Sequence, residues 1–259
     1  MENDVYVAGS TNDGIISKAC YWKNGTRTDL PSASYAVAFA IVVAGNDIYV
    51  AGAYVSGSAT KACYWKNGTK TDLHPSGALS SDAGAIAVAG SDVYVAVNYK
   101  VEDSDDDNED KWKACYWKNG TKTDITVEGK AQANDITVAG SDVYVTGCYF
   151  NSGPKACYWK NSTKTDLGSS SDFAEAYAIA VVDPEVYTAG RYIGDGDESG
   201  ACYWKGTTKT DLSDAESIAL GIAVVGDDVY TAGFTFTGNF SDYSTKACYW
   251  KNSVKKDLL

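Results

Sequence analysis

Lys61-Ala62-Cys63-Tyr64-Trp65-Lys66-Asn67-Gly68-Thr69-Lys70-Thr71-Asp72-Leu73 is the phrase that decides the fold, because it returns almost unchanged from Lys18, Lys113, Lys155, Gly200 and Lys246. Its tryptophans, Trp22, Trp65, Trp117, Trp159, Trp204 and Trp250, are spaced 43, 52, 42, 45 and 46 residues apart. A second phrase, an acid followed by Val or Ile and then Tyr, recurs six times around Tyr6, Tyr49, Tyr94, Tyr144, Tyr187 and Tyr230. A third, of the type Ala-Ile-Ala-Val-Ala-Gly, occurs five times around Ile41, Ile86, Ile136, Ile179 and Ile222. Six units thus fill 259 residues, approximately 1–34, 35–78, 79–130, 131–172, 173–215 and 216–259. A period in this range marks a repeat architecture, and about 43 residues is the length of a four-stranded blade.

Each unit reads as strands A to D. In the third unit A is Ala85–Ala89, B is Val93–Tyr99, C is Lys113–Lys118 and D is Thr121–Ile125. Asn119-Gly120 joins C to D, and Asn-Gly between β-rich runs is a strong hairpin signal, since a type I′ turn needs positive φ at both central residues. The runs are short, β-branched and aromatic, and no apolar 3.6-residue period is sustained, so helix is not expected. Strand C is apolar or amphipathic on both sides, which suits a sheet covered on both faces.

On these phrases the chain resembles the β-propeller superfamily, most nearly the kelch-like blade layout. The resemblance implies an all-β, six-bladed propeller of four-stranded antiparallel blades over residues 1–259 as one domain. There is no Gly-Gly doublet after strand B, and Tyr and Trp are adjacent in strand C, so no kelch partner is implied. Because the chain opens on strand B, 23 strands are expected, with the first blade lacking its inner strand.

Composition narrows the function classes. There are 22 Lys+Arg against 34 Asp+Glu, a net charge of −12, with two arginines and one histidine. Acid excess speaks against nucleic-acid and anionic-membrane partners, and no apolar run reaches the ~20 residues that span a bilayer. Loops B–C and D–A, read from the repeat boundaries, hold 18 acids against three bases, so one face is expected to be acidic. Six cysteines recur once per unit, too far apart on neighbouring blades for disulfides, and are read with Cys148 as buried thiols. Unpaired thiols and the lack of a leader favour a cytoplasmic location, the alternative being the cell surface.

Candidate chemistry is sparse. Asp103, Asp105 and Asp107 form an Asp-x-Asp-x-Asp run able to offer oxygens to calcium, the one ion the sequence admits; no cofactor is required. The run departs from an EF-hand loop, with Asn108 at position six and Ala114 at position twelve. Tyr35, Trp112, Phe173, Glu175, Tyr177, Asp214 and Phe236 lie outside the repeat phrases and are the expected ligand-binding residues; no catalytic residue is assigned. The expected function is a non-enzymatic, monomeric binding or scaffolding module for a protein or a carbohydrate. The alternatives are a carbohydrate-active enzyme using a carboxylate pair at the channel mouth, drawn from acids such as Asp82, Asp135 and Glu175, and a purely structural repeat domain of a larger surface protein.

Overall fold

A computed structural model describes residues 4–258, apart from 13, 15, 33–34, 103–110, 126–128, 169–172, 194–198, 213–215 and 238–243. The described residues form 23 strands and no helix. None of them makes a helix long and apolar enough to cross a membrane.

The strands assemble into six antiparallel sheets in sequence order. The first has three strands, β1 (Tyr6–Asn12), β2 (Ser17–Lys23) and β3 (Thr26–Asp29). The second has β4 (Ala36–Ala44), β5 (Asp47–Ser56), β6 (Ala59–Lys66) and β7 (Thr69–Asp72). The third has β8 (Ser80–Ala89), β9 (Asp92–Val101), β10 (Lys111–Lys118) and β11 (Thr121–Asp124). The fourth has β12 (Lys130–Ala139), β13 (Asp142–Phe150), β14 (Pro154–Lys160) and β15 (Thr163–Asp166). The fifth has β16 (Phe173–Val182), β17 (Glu185–Ile193), β18 (Ser199–Lys205) and β19 (Thr208–Asp211). The sixth has β20 (Ser217–Val225), β21 (Asp228–Thr237), β22 (Ser244–Lys251) and β23 (Val254–Asp257). The chain divides into two compact units, Met1–Ile136 and Thr137–Leu259.

The Asn-Gly hairpins between strands C and D turn as that dipeptide requires, with φ 49° at Asn119 and 82° at Gly120, and Asn161-Ser162 and Asn252-Ser253 adopt similar positive φ values. The asparagine also does more than turn. Asn119 Oδ1 accepts from Val93 N at 2.9 Å and its Nδ2 donates to Asp92 Oδ1 at 2.7 Å, while Lys118 Nζ lies 2.9 Å from Asp92 Oδ2. The same staple of two turns recurs at Asn24–Asp4, Asn67–Asp47, Asn161–Asp142 and Asn252–Asp228. With Nδ2 so committed, these asparagines are structural elements of the turn.

Residues paired across antiparallel strands share a face. Val50 pairs with Trp65 and Gly52 with Cys63, making a valine face on the second sheet; Ala51 pairs with Tyr64 and Ala53 with Ala62, making an alanine face. The core is built by laying a valine face on the alanine face of the preceding sheet. Ala19 and Leu30 of the first sheet cluster with Val50, Cys63 and Trp65 of the second. Ala51, Ala62 and Leu73 then meet Val95, Val97 and Cys115 of the third. Ala156 and Leu167 of the fourth meet Cys202 and Trp204 of the fifth. Ala189, Ala201 and Leu212 of the fifth meet Cys248 and Trp250 of the sixth. The recurrent Trp and Cys are therefore packing residues. All seven cysteines are buried and free, and burial pushes the Cys63 and Cys115 thiols up to about 12.

One expectation is corrected. Strand A starts well before the repeated Ala-Ile run: β8 begins at Ser80 rather than Ala85, and β16 at Phe173. Asp82 and Glu175 are thus strand residues, and the D–A loops are shorter and less acidic than the repeat boundaries suggest.

Candidate functional site

The extra length of strand A carries the chemistry. Each of four A strands has a register shift against strand B: between Ala38 and Ala40, Ala83 and Ala85, Ala176 and Ala178, and Ala219 and Gly221. Just before the shift, one paired position changes character from sheet to sheet. It reads Val37 opposite Ala53, Asp82 opposite Asn98, Glu175 opposite Arg191, and Ile218 opposite Phe234. The second and sixth sheets place apolar pairs there. The third and fifth place a carboxyl with a polar partner.

In the fifth sheet the shift leaves Tyr177 as the extra residue, and such a bulge re-aims a side chain. Tyr177 Oη donates to Glu175 Oε2 at 2.5 Å, and Arg191 Nε donates to the same oxygen at 2.7 Å. Burial, reinforced by the carboxylate, raises the Tyr177 phenol well above its ordinary range, so it stays a donor. The Arg191 guanidinium is held charged by Glu175 against its own burial. Gly190 stands opposite Ala176, and the two strands approach so closely there that a Cβ would collide with the Glu175 carbonyl.

In the third sheet no cation among the described residues acts on Asp82. Burial raises its carboxyl above the usual range, opposed only by a hydrogen bond from Asn98. Asn98 is itself clamped: its Nδ2 donates to Ala133 O at 3.0 Å and its Oδ1 accepts from Ala133 N at 2.8 Å. Asp135 lies two residues further along β12, with Oδ1 accepting from Ile136 N at 2.8 Å. Asp82 and Asp135 therefore stand on the first strands of consecutive sheets, linked through Asn98 and Ala133.

His74 is paired to Ser81, Nδ1 to Oγ at 2.7 Å, and burial lowers its pKa. Ser81 is buried, and its Oγ also accepts from Ala62 N at 2.8 Å. Ser217 makes the equivalent bond from Ala201 N at 2.8 Å. The hydroxyls pin neighbouring sheets together, so this Ser–His pair does not present a nucleophile.

Of the expected site residues, the structure brings together Glu175 and Tyr177 and adds Arg191, which sequence reasoning did not assign. Phe173 opens β16, half exposed, with Lys155 Nζ 4.8 Å from its ring centre. Tyr35 precedes β4, exposed, with its carbonyl accepting from Val55 N. Trp112 is part-buried on β10 opposite Lys100. Phe236 lies on β21, edge-on to Phe234 with ring centres 5.0 Å apart. Asp214, Asp103, Asp105 and Asp107 fall outside the described residues. Among the described residues no three His, Cys, Asp or Glu side chains gather as a metal site would require.

No family model matches the chain, and no curated protein matches it in sequence. Solved structures do. The β-propeller domain of the Trilobed protease from Pyrococcus furiosus matches with a TM-score of 0.57 at 11% identity, over 98% of this chain and 78% of that one. The fold is propeller-like. The acylaminoacyl peptidase of Pyrococcus horikoshii matches with a TM-score of 0.56 at 10% identity over 100% of this chain, and the tricorn protease with 0.58 at 9% over 99%. This chain spans 45% and 31% of those two, less than half of either. The expectation of a non-enzymatic binding or scaffolding module is corrected here. The solved structures that share its fold belong to peptidases.

Proposed function

We propose that the six sheets are six blades of propeller type, and that the chain is a carbohydrate-active hydrolase whose acid–base work is done by carboxyl groups on the first strands of its blades. The observation that carries this is the environment of Asp82, a carboxyl lifted by burial with no cation among the described residues to hold it ionised. A carboxyl of that kind keeps its proton to higher pH and suits the role of general acid toward a glycosidic oxygen. Asp135, joined to it through Asn98 and Ala133, is the second carboxyl, acting on the opposite side of the scissile bond. The choice of glycoside over peptide follows from the side chains available. The sole histidine is engaged with a buried serine, which removes a Ser–His nucleophile, and a pair of separated carboxyls is the apparatus glycoside hydrolysis needs.

The test is the purified chain assayed on a panel of aryl glycosides and, in parallel, peptide anilides. The proposal expects hydrolysis of at least one glycoside, lowered about 10²–10⁴-fold by Asp82→Asn, the usual range for loss of a positioned proton donor. Turnover of peptides alone, or glycoside turnover indifferent to Asp82→Asn, contradicts it.

A further inference from the structure

The fifth sheet carries a cluster that its fold does not need. Glu175 and Arg191 stand opposite each other where the second sheet has Val37 and Ala53 and the sixth has Ile218 and Phe234. Apolar pairs thus serve this position twice in the same chain, and an ion pair drawn out of water adds little stability over apolar residues of similar volume. The residue pushed out by the register shift differs in the same way. Phe39 and Leu220, its counterparts on the second and sixth sheets, are 53% and 49% exposed. Tyr177 is part-buried, drawn down by the bond from its hydroxyl to Glu175 Oε2.

The bonds inside the cluster leave other polar atoms uncommitted. Glu175 Oε2 takes both internal bonds, from Tyr177 Oη and from Arg191 Nε. Among the described residues Glu175 Oε1 accepts no hydrogen bond, and Arg191 has no partner beyond Glu175 and Tyr177. Four of the five N–H donors of a guanidinium sit on its terminal nitrogens, and here only Nε is bonded to the carboxylate. The Arg191 and Glu175 side chains are 34% and 19% exposed, so solvent reaches the cluster. The result is a fixed acceptor beside fixed donors, oriented by their shared bond and flanked by an aromatic ring.

We propose that this cluster binds a neutral sugar through two adjacent hydroxyl groups. A hydroxyl both donates and accepts. One member of the vicinal pair donates to Glu175 Oε1, and the oxygen of its neighbour accepts from the terminal nitrogens of Arg191. The Tyr177 ring offers an apolar surface to the C–H face of the pyranose, and small-ligand sites combine such a wall with a few aimed polar groups. The charges of the cluster select against other ligands. An anion meets Glu175 and a cation meets Arg191, whereas a neutral diol satisfies both through charge-assisted hydrogen bonds. The chain that follows carries Asp195, Asp197 and Glu198, which disfavours anions further. The site shares no residue with Asp82 and Asp135, so it binds whether or not those carboxyls hydrolyse a glycoside.

The test is saturation-transfer NMR titration of the purified chain with the methyl glycosides of glucose, galactose, mannose and xylose, and with sodium acetate as the anionic control. The first variant combines Glu175→Ile with Arg191→Phe, the pair that the sixth sheet itself holds at this position. It should keep the melting temperature of the wild type. The second, Glu175→Gln, keeps the shape of the side chain and turns its outward acceptor into a donor. The wild type should bind at least one glycoside, and both variants should bind it about tenfold more weakly or worse, as for the loss of a hydrogen bond to a charged group. A wild type that binds no glycoside, or binds acetate alone, overturns the proposal. So does glycoside binding that persists undiminished in the variants, since the sugar then sits elsewhere on the chain. A sharp fall in melting temperature for the double variant, with Glu175→Gln binding as the wild type does, would show the cluster to be structural.

Discussion

Asn119 Nδ2 and Asp92 Oδ1 meet at 2.7 Å across two hairpin turns, and the same contact is made in five of the six units. The fifth unit has Gly206 and Glu185 at these positions and does without it. Asn119→Ala removes both the donor to Asp92 and the acceptor for Val93 N, and forces alanine into a positive φ. We expect the melting temperature to fall by about 2–4 °C, as for the loss of a net hydrogen-bond contribution in a chain of this size. A fall that small would show that the staple is redundant along the repeat; scanning calorimetry decides it.

The carboxylates of these staples set the acid limit. Asp92, Asp47 and Asp142 are lowered first by the hydrogen bond from the paired lysine and then by that from the asparagine. A lowered folded-state pKa contributes stability that is present above the ordinary carboxylate value and lost as pH falls through the lowered one. Stability should therefore be flat down to about pH 4 and decline below it. Replacing Asp47, Asp92 and Asp142 together by Asn should flatten that decline, as read by urea unfolding across the pH range.

The thiols report the opposite limit. Cys63 and Cys115 are pushed up to about 12 by burial, so their neutral form is kept in the fold. Their contribution is intact below the ordinary thiol value and is lost as pH rises from there toward the raised one. At pH 8 a thiol reagent such as 5,5′-dithiobis(2-nitrobenzoate) should label them only as fast as the chain opens, with seven thiols released together in denaturant. Rapid labelling under native conditions would place them outside the core.

The repeated tryptophans should differ in energetic weight according to what covers them. Trp204 is fully buried between the fourth and fifth sheets, and Trp204→Ala should cost about 3–5 kcal/mol. Trp22 on the first sheet is only part-buried, and Trp22→Ala should cost clearly less. Equal costs would mean that Trp22 is covered as well as Trp204 is.

Most of the fold is legible in the sequence because the repeat phrases hold the buried face residues themselves: Val50, Trp65 and Cys63 on one side, Ala51 and Ala62 on the other. The start of strand A is not legible. The position before the register shift reads Val37, Asp82, Glu175 and Ile218, so neither hydrophobicity nor alternation marks it as strand. Glu175 and Tyr177 stand out by falling outside the repeat phrases. Arg191 and Asn98 do not, because only the pairing register sets them opposite Glu175 and Asp82. Aligning the five units on Ile41, Ile86, Ile136, Ile179 and Ile222 exposes the variable position, and that is the signal from which the pair could have been found.

The most direct test of the account is the pH dependence of kcat/KM on an aryl glycoside for the wild type and Asp82→Asn. Burial of Asp82 predicts an alkaline limb above the ordinary aspartate range, where the group gives up its proton. The variant should lose that limb together with most of the rate, and should recover part of it on a substrate whose leaving group needs no protonation. An alkaline limb unchanged by Asp82→Asn would contradict the assignment of Asp82 as the proton donor.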